Sequence, residues 1–153
     1  MHGLVIDIVS IVVAGTMTGT EFTVAVFLHP TIGRLPDGVH TAAAKAFAKL
    51  FGRVMPFWYA STLILSVIEV WRHWPIVTAA SKMLLAASIL WLLTIIFSLI
   101  FPVPVNNRIA AWNLTALPAN WREERKRWDR LHAIRVCILV VALTNLVAGI
   151  LTA

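Results

Sequence analysis

Residues 83–101 contain not one charged side chain. A run of that length and apolarity matches the roughly 20 residues a helix needs to cross the hydrocarbon core of a bilayer, and is about twice what a barrel strand would use. Backbone polar groups at membrane depth must be satisfied within the segment itself, so the run has to be helical. Three more stretches meet the same requirement, which places spans at about 4–28, 57–72, 80–101 and 131–152. The chain is therefore read as all-α and polytopic: a four-transmembrane-helix bundle, one membrane domain over residues 1–153. A cleaved signal peptide does not describe the first stretch, which lacks a basic start, runs too long and holds Asp7 and Glu21.

Composition excludes the soluble alternatives. Apolar residues make up 59% and charged residues 13%, against about 45–50% and about 25% in ordinary soluble domains. A soluble enzyme, a disordered chain and a disulfide scaffold all fall away. The single cysteine, Cys137, rules out an intrachain disulfide and any cysteine-cluster metal site. The formal net charge of +6 would point to nucleic acid in a soluble protein; here it is read as loop Lys and Arg setting topology, with the lipid bilayer and no nucleic acid as partner.

Those cations are unevenly shared. Arg34, Lys45, Lys49 and Arg53 lie in the first connection, and Arg108, Arg122, Arg125, Lys126, Arg127 and Arg130 in the third, while the opposite side has only Arg72 and Lys82. Basic loops stay on the cytoplasmic side. The expected arrangement is thus a multi-pass protein of the plasma (inner) membrane with loops 31–54 and 102–130 cytoplasmic and both termini outside. Trp71 and Trp74 then form an aromatic belt at the outer interface.

Both basic loops carry patterns of their own. Val39, Ala43, Ala46, Phe47, Leu50 and Phe51 recur at helical spacing, which predicts a short interfacial helix in the first loop. Pro56 either breaks it from the second span or opens that span. Pro102 and Pro104 are expected to stop the third span and hold an extended segment. Asn120 with Glu123 three residues on reads as a capping box, from which a helix can run unbroken into the fourth span.

Ionisable groups inside a bilayer are costly, by about 2.5–3.5 kcal/mol each on insertion scales, so each needs a reason. Glu21 follows a Gly- and Thr-rich stretch with Gly15 and Gly19 at GxxxG spacing, which predicts that this face packs inside the bundle. The natural partner of Glu21 is Arg135. Two readings stand: an ion pair registering the first helix on the fourth, or an acid/base group oriented by a cation in a polar pocket. Trp128, His132 and Arg135 are spaced i, i+4, i+7 and share one helix face. His132 is a second candidate base, against the reading of a snorkelling polar group. His29, before Pro30, lies at a similar depth, so His29, His132 and Glu21 are the only candidates for a metal site, and no i, i+4 ligand pair supports one. His2, His40 and His73 read as peripheral. Asn106 and Asn107 offer amide donors and acceptors near the surface, and Trp112 and Trp128 can wall a pocket for a planar ligand. Asn145, Thr94 and Ser98 are expected to hydrogen-bond between helices.

A first helix carrying Glu21, the His29-Pro30 exit, Pro104-Val105-Asn106-Asn107-Arg108-Ile109 after the third span, and Trp128, His132 and Arg135 opening the fourth resemble the DUF1772, or anthrone oxygenase-like, family. The resemblance covers nearly the whole chain. It implies a monooxygenase-type oxidoreductase that converts a small, flat, hydrophobic molecule, anthrone- or phenol-like, with dioxygen. On that implication His132 or Glu21 removes a proton, Arg135 with Asn106 and Asn107 holds the oxyanion, and Trp112 or Trp128 stacks on the ring. No cofactor is fixed: the reaction needs none in principle, and copper or iron is the minority expectation. The competing class is a non-enzymatic membrane module, a small transporter- or channel-like homo-oligomer or accessory subunit, with a haem-binding bundle using His29 and His132 as a third. Where Glu21, His132, Arg135 and Asn107 point discriminates among them.

Overall fold

A computed structural model describes residues 2–153, except for the side chain of His2, so the peripheral reading of that histidine lies outside the described residues. The elements are α1 (His2–Thr23), a π-helical turn (Val24–Leu28), α2 (His29–Ile32), α3 (Asp37–Arg72), α4 (Ala79–Ile100), α5 (Pro102–Ala111) and α6 (Trp121–Leu151). Four helical stretches are long and apolar enough to cross a membrane: Gly3–Ile32, Asp37–Arg72, Ala79–Ile100 and Trp121–Leu151. The protein is a four-helix membrane bundle.

Each long helix buries one narrow stripe. On α6 the buried positions Trp121, Arg125, Trp128, His132, Arg135, Leu139, Ala142, Leu146 and Gly149 alternate in steps of four and three, and Ser10, Ala14, Met17, Glu21 and Val24 do the same from α1 into the π-turn. That 3.5-residue period is the seam along which helices pack at shallow angles. One core forms around Ala14, Met17, Leu84, Ala87, Trp91, Leu139 and Leu146 in the middle of the bundle. A second forms under the basic loops from Val24, Ala44, Ala48, Val105, Ile109, Trp112, Trp121 and Trp128.

Prolines behave differently from expectation. There is no separate interfacial helix: the amphipathic stretch is the first half of α3, which runs through Pro56 to Arg72. Proline crowds the carbonyl four residues back, and that residue is Gly52, which has no side chain to add to the crowding. Thr41, Ala44 and Ala48 of this half are buried, so tertiary packing holds it in line with the span. Pro102 and Pro104 do not hold an extended segment either. They occupy the first turn of α5, where backbone N–H groups have no helical acceptor and proline loses nothing. The helix running from the third loop into the fourth span does begin at Trp121, but Asn120 makes no side-chain cap; its backbone carbonyl receives the N–H groups of Glu123 and Glu124.

The packing face of α1 is not the glycine face. Gly19 is exposed and Gly15 half-buried, and a Cβ at either would meet nothing within 4 Å. The buried stripe lies beside the glycines, through Ala14, Met17, Thr18 and Glu21. Thr94, Ser98 and Asn145 bond carbonyls of their own helices; the hydroxyl pair that does cross between helices is Ser66 with Ser88, 2.6 Å apart. Trp71 and Trp74, 77% and 71% exposed, stand at the turn between the second and third spans.

Close packing does occur at Gly149, where a Cβ would lie 2.8 Å from the Leu84 side chain and 3.1 Å from the Ala80 carbonyl oxygen. Gly149→Ala should therefore lower stability by about 1–3 kcal/mol through overpacking of α6 on α4. Gly15→Ala should leave it unchanged or raise it by up to about 1 kcal/mol through helix propensity. Thermal unfolding in detergent, followed by tryptophan fluorescence, checks both.

Candidate functional site

The π-turn sets up the site. Eight residues of uninterrupted α-helix would leave His29 about 80° around the axis from Glu21, at 100° per residue. Pro30 has no N–H for a carbonyl in the preceding turn, and that turn is wide, with the His29 N–H donating to the Val24 carbonyl five residues back. The extra residue taken up there brings His29 toward the face that carries Glu21, and both meet α6.

On that face Glu21 is 2% exposed. Its Oε2 accepts from Arg135 Nη2 at 2.8 Å, and its Oε1 accepts from the Tyr59 hydroxyl at 3.0 Å. The second N–H of Arg135 Nη2 reaches His132 Nδ1, also 2.8 Å away. With Nδ1 accepting, the imidazole carries its proton on Nε2, which donates to the Glu21 backbone carbonyl at 3.1 Å. His132 Nδ1 also lies 3.2 Å from Glu21 Oε2, but the shared guanidinium donor explains that approach without a proton between them. The Trp128 ring lies flat on His132, 4.8 Å between centroids and 12° from parallel. His29 meets Trp128 edge-on at 4.6 Å, and Arg125 covers it at 4.9 Å. Behind these, Asp129 Oδ1 is 3.2 Å from His29 Nδ1 and 2.9 Å from Arg125 Nη2.

A cavity of about 390 Å³ adjoins this cluster, between α3, α4, α5 and α6. Tyr59, Trp128 and Arg135 reach it, with Asn106 and Asn107 at its α5 end; Met55, Leu63 and Ile95 are among its apolar walls. Its size falls within the range of small-molecule sites. Glu21 and His132 do not line it; they stand one side chain back. Arg135 Nε, buried, has no hydrogen-bond partner. The cavity is therefore lined by a fixed cation, whose Nε–H is unused, and by a phenol backed by a buried carboxylate.

The expected residues are thus partly assembled. Glu21, His132 and Arg135 converge as one hydrogen-bonded unit within one chain, and Trp128 joins them. Asn107 is exposed at the cavity rim with no hydrogen-bond partner among the described residues, while Asn106 gives one of its two Nδ2 N–H groups to the Ala48 carbonyl at 3.0 Å. Trp112 is not a wall of the cavity. It is buried against Trp121, gives its Nε1–H to Glu124, and its carbonyl accepts from Lys45 Nζ at 2.5 Å, so it anchors the loop after α5. Among the described residues no three His, Cys, Asp or Glu side chains converge as metal ligands would. His29 and His132 touch each other directly, with ring centroids 5.0 Å apart.

Sequence reasoning missed two residues. Tyr59, the single tyrosine, is buried and bridges cavity and carboxylate; its lone phenol deep in an apolar span was the available signal. Glu69, 0% exposed, accepts from Ser10 Oγ at 2.8 Å and Arg72 at 2.7 Å, and Arg72 also bonds Asp7 at 2.5 Å. This second polar cluster ties α1 to α3 at the far end of the bundle, about 21 Å along α1 from Glu21 at 1.5 Å per residue. The Glu69–Arg72 spacing of i, i+3 marked the pair.

A sequence model of the family described as "Anthrone oxygenase" matches residues 43–144. That is 102 of 153 residues and includes Tyr59, Asn106, Asn107, Trp128, His132 and Arg135. No curated protein and no solved structure matches the chain. The chain belongs to the anthrone oxygenase (DUF1772) family of membrane proteins.

Removing one member of a buried ion pair costs about 3–5 kcal/mol, largely because the other charge is left unpaired. Arg135→Met should lower stability by that order, and the double variant Glu21→Gln/Arg135→Met should recover most of the loss. Equal losses in the single and double variants, measured by thermal unfolding in detergent, would show that the pair is not what joins α1 to α6.

Proposed function

From membership in that family and from the polar end of the cavity, we propose that the protein is a membrane oxygenase acting on a small, flat, hydrophobic substrate with an acidic C–H, anthrone- or phenol-like, and on dioxygen. The observation that carries this reading is that Tyr59 and Arg135 line the cavity while both hold Glu21, and that Arg135 keeps an unused N–H.

The substrate ring lies in the apolar part of the cavity with an edge against Trp128, and its oxygen faces Arg135. The Tyr59 oxygen receives the proton of the acidic carbon as the phenol proton passes to Glu21 Oε1. Negative charge moves to the substrate oxygen, where Arg135 and the amides of Asn106 and Asn107 stabilise it. Charge bookkeeping favours the step: Arg135 exchanges one anionic partner, Glu21, for another, the substrate oxyanion, and no charge is left unpaired in the low-dielectric interior. The electron-rich carbon then reduces dioxygen, forming a C–O bond, and the resulting peroxide oxygen takes the proton back from Tyr59 and Glu21. Loss of the second proton from the same carbon breaks the O–O bond and releases water. Overall a CH₂ group and O₂ give C=O and H₂O, a balance closed by substrate and dioxygen alone. His132 acts as a positioning residue, since its Nδ1 holds Arg135 and its Nε2–H holds the α1 backbone.

The non-enzymatic alternative draws on the same buried ion pair, but an ion pair that served packing alone would not need a cavity at its edge. In the cell the protein is proposed to lie in the plasma membrane with both basic loops cytoplasmic and both termini outside, following the asymmetry of Lys and Arg.

Oxygen uptake on a hydroxyanthrone, corrected for autoxidation, tests the reading in detergent-purified protein. Glu21→Gln keeps shape and an acceptor; it should lose stability by about 3–5 kcal/mol with Arg135 left unpaired, and in the fraction that stays folded uptake should fall by about 10²–10⁴-fold. Tyr59→Phe should fall by a comparable factor. Full activity in folded Glu21→Gln, or no uptake above autoxidation by the unaltered protein, would overturn it.

A further inference from the structure

The cavity has two ends of different character. Toward the bundle surface its walls include Ala60 and Ile64 of α3, Leu99 of α4 and Val103 of α5. Ile64 is 60% exposed and Leu99 62%, and Ala60 beside them is exposed with only a methyl side chain. These residues belong at once to the cavity wall and to the outer face of two membrane-spanning helices, so the wall there is one side chain thick. No charged residue lies on that side; Arg135, at the inner end, is the one charged group of the whole lining.

At the α5 end Gly52, Pro56 and Asn107, also exposed, border the cavity. Behind Phe51, Asn106 and Trp128, walls that it shares with the cavity, lies a separate void of about 10 Å³. That is about the room one water molecule needs. Farther on, at His29 and Arg125, a polar vestibule of about 480 Å³ opens among the side chains of the basic loops. A void of that size has no room for a fused ring system.

We infer that the cavity opens sideways into the bilayer, between α3 and the α4–α5 corner, and that its ligand, an uncharged lipophilic molecule with one oxygen-bearing edge, reaches it from the membrane. The chemistry of the occupant rests on the function proposed above; the position of the mouth rests on the walls alone. An apolar body arriving past Ile64 and Leu99 remains in apolar surroundings throughout, and its polar edge meets Tyr59 and Arg135 last. Dioxygen, also apolar, takes the same route. The mouth also lies toward the end of the bundle that carries the basic loops, because Leu99 is next to the end of α4 and Pro102 begins α5. Ligand is therefore drawn from that leaflet.

Cysteine accessibility tests this without requiring turnover. Cys137 is the single native cysteine, so Cys137→Ser gives a background for Ser98→Cys, a conservative change at a buried position on the cavity wall. In proteoliposomes an uncharged, membrane-permeant maleimide should label this cysteine, and a sulfonated thiol reagent should be at least about tenfold slower, because a charge is excluded from the apolar route. Ala60→Trp or Leu99→Trp, each an exposed position tolerant of bulk, should slow the uncharged reagent severalfold. Equal rates for the two reagents, no labelling by either, or no effect of both tryptophans would overturn the lateral opening. Loss of the proposed oxygenase activity with this labelling pattern intact would count against the chemistry and leave the mouth standing.

Discussion

The Glu21–Arg135 ion pair is the constraint around which this bundle is organised. An unpaired charge at that depth costs about 3–5 kcal/mol, which favours the register of α1 on α6 that brings carboxylate and guanidinium to 2.8 Å. Everything adjacent is then specified in turn. The second N–H of the same guanidinium nitrogen fixes the tautomer of His132, the remaining imidazole nitrogen holds the α1 backbone, and the flat face of His132 receives Trp128. Tyr59 brings α3 into the network through the other carboxylate oxygen. Three of the four spans thus meet at one carboxylate, and the cavity is the space left where the fourth, with α5, closes over them.

Much of this was legible in the sequence because buried charge is conspicuous against an apolar background. Glu21 and Arg135 could be paired as an acid and a cation inside the first and fourth spans, and the i, i+4, i+7 spacing of Trp128, His132 and Arg135 put them on one face regardless of how the helices pack. The spans followed from length and apolarity. Proline was misleading for a definite reason: its cost depends on whether an N–H was needed and on what stands four residues back. At Pro102 and Pro104 no N–H was needed, and at Pro56 the crowded residue is a glycine. Both contexts were visible in the sequence, yet neither could outweigh the breaker rule without the packing that holds the helices straight.

Other features lay beyond the reach of spacing. Gly15 and Gly19 have the pattern of a contact face, but the seam runs one position aside, through Ala14, Met17 and Thr18, because Glu21 and Ser10 both have buried partners and dictate which way α1 turns. Hydroxyls in apolar helices return to their own backbone as readily as they cross to another, so Thr94 and Ser98 gave no interhelical bond while Ser66 and Ser88 did. Trp112 and Trp128 look alike in sequence. One lies in a loop that folds back onto Trp121, the other on the α6 seam, and only the latter reaches the cavity.

The bundle contains its own control for what a buried carboxylate signifies. Glu69 is as deeply buried as Glu21 and is also held by an arginine and a hydroxyl. Its arginine, however, is shared with a second carboxylate, Asp7, and the residues around it line none of the three cavities described here. That suits an architectural charge cluster: the buried carboxylate accepts from a hydroxyl and an arginine and pins α1 to α3. Around Glu21 buried donors stay without partners, Arg135 Nε and Trp128 Nε1 among them. Arg135 keeps a buried N–H without a partner on the edge of an apolar cavity, next to a phenol whose proton is already directed at a carboxylate. An orphaned buried donor destabilises by about 1–3 kcal/mol; Trp91 Nε1 in the core is another, and what sets Arg135 apart is that its side chain also lines a cavity. The contrast between the two acids within one chain is the physical ground on which chemistry is proposed for one and architecture for the other.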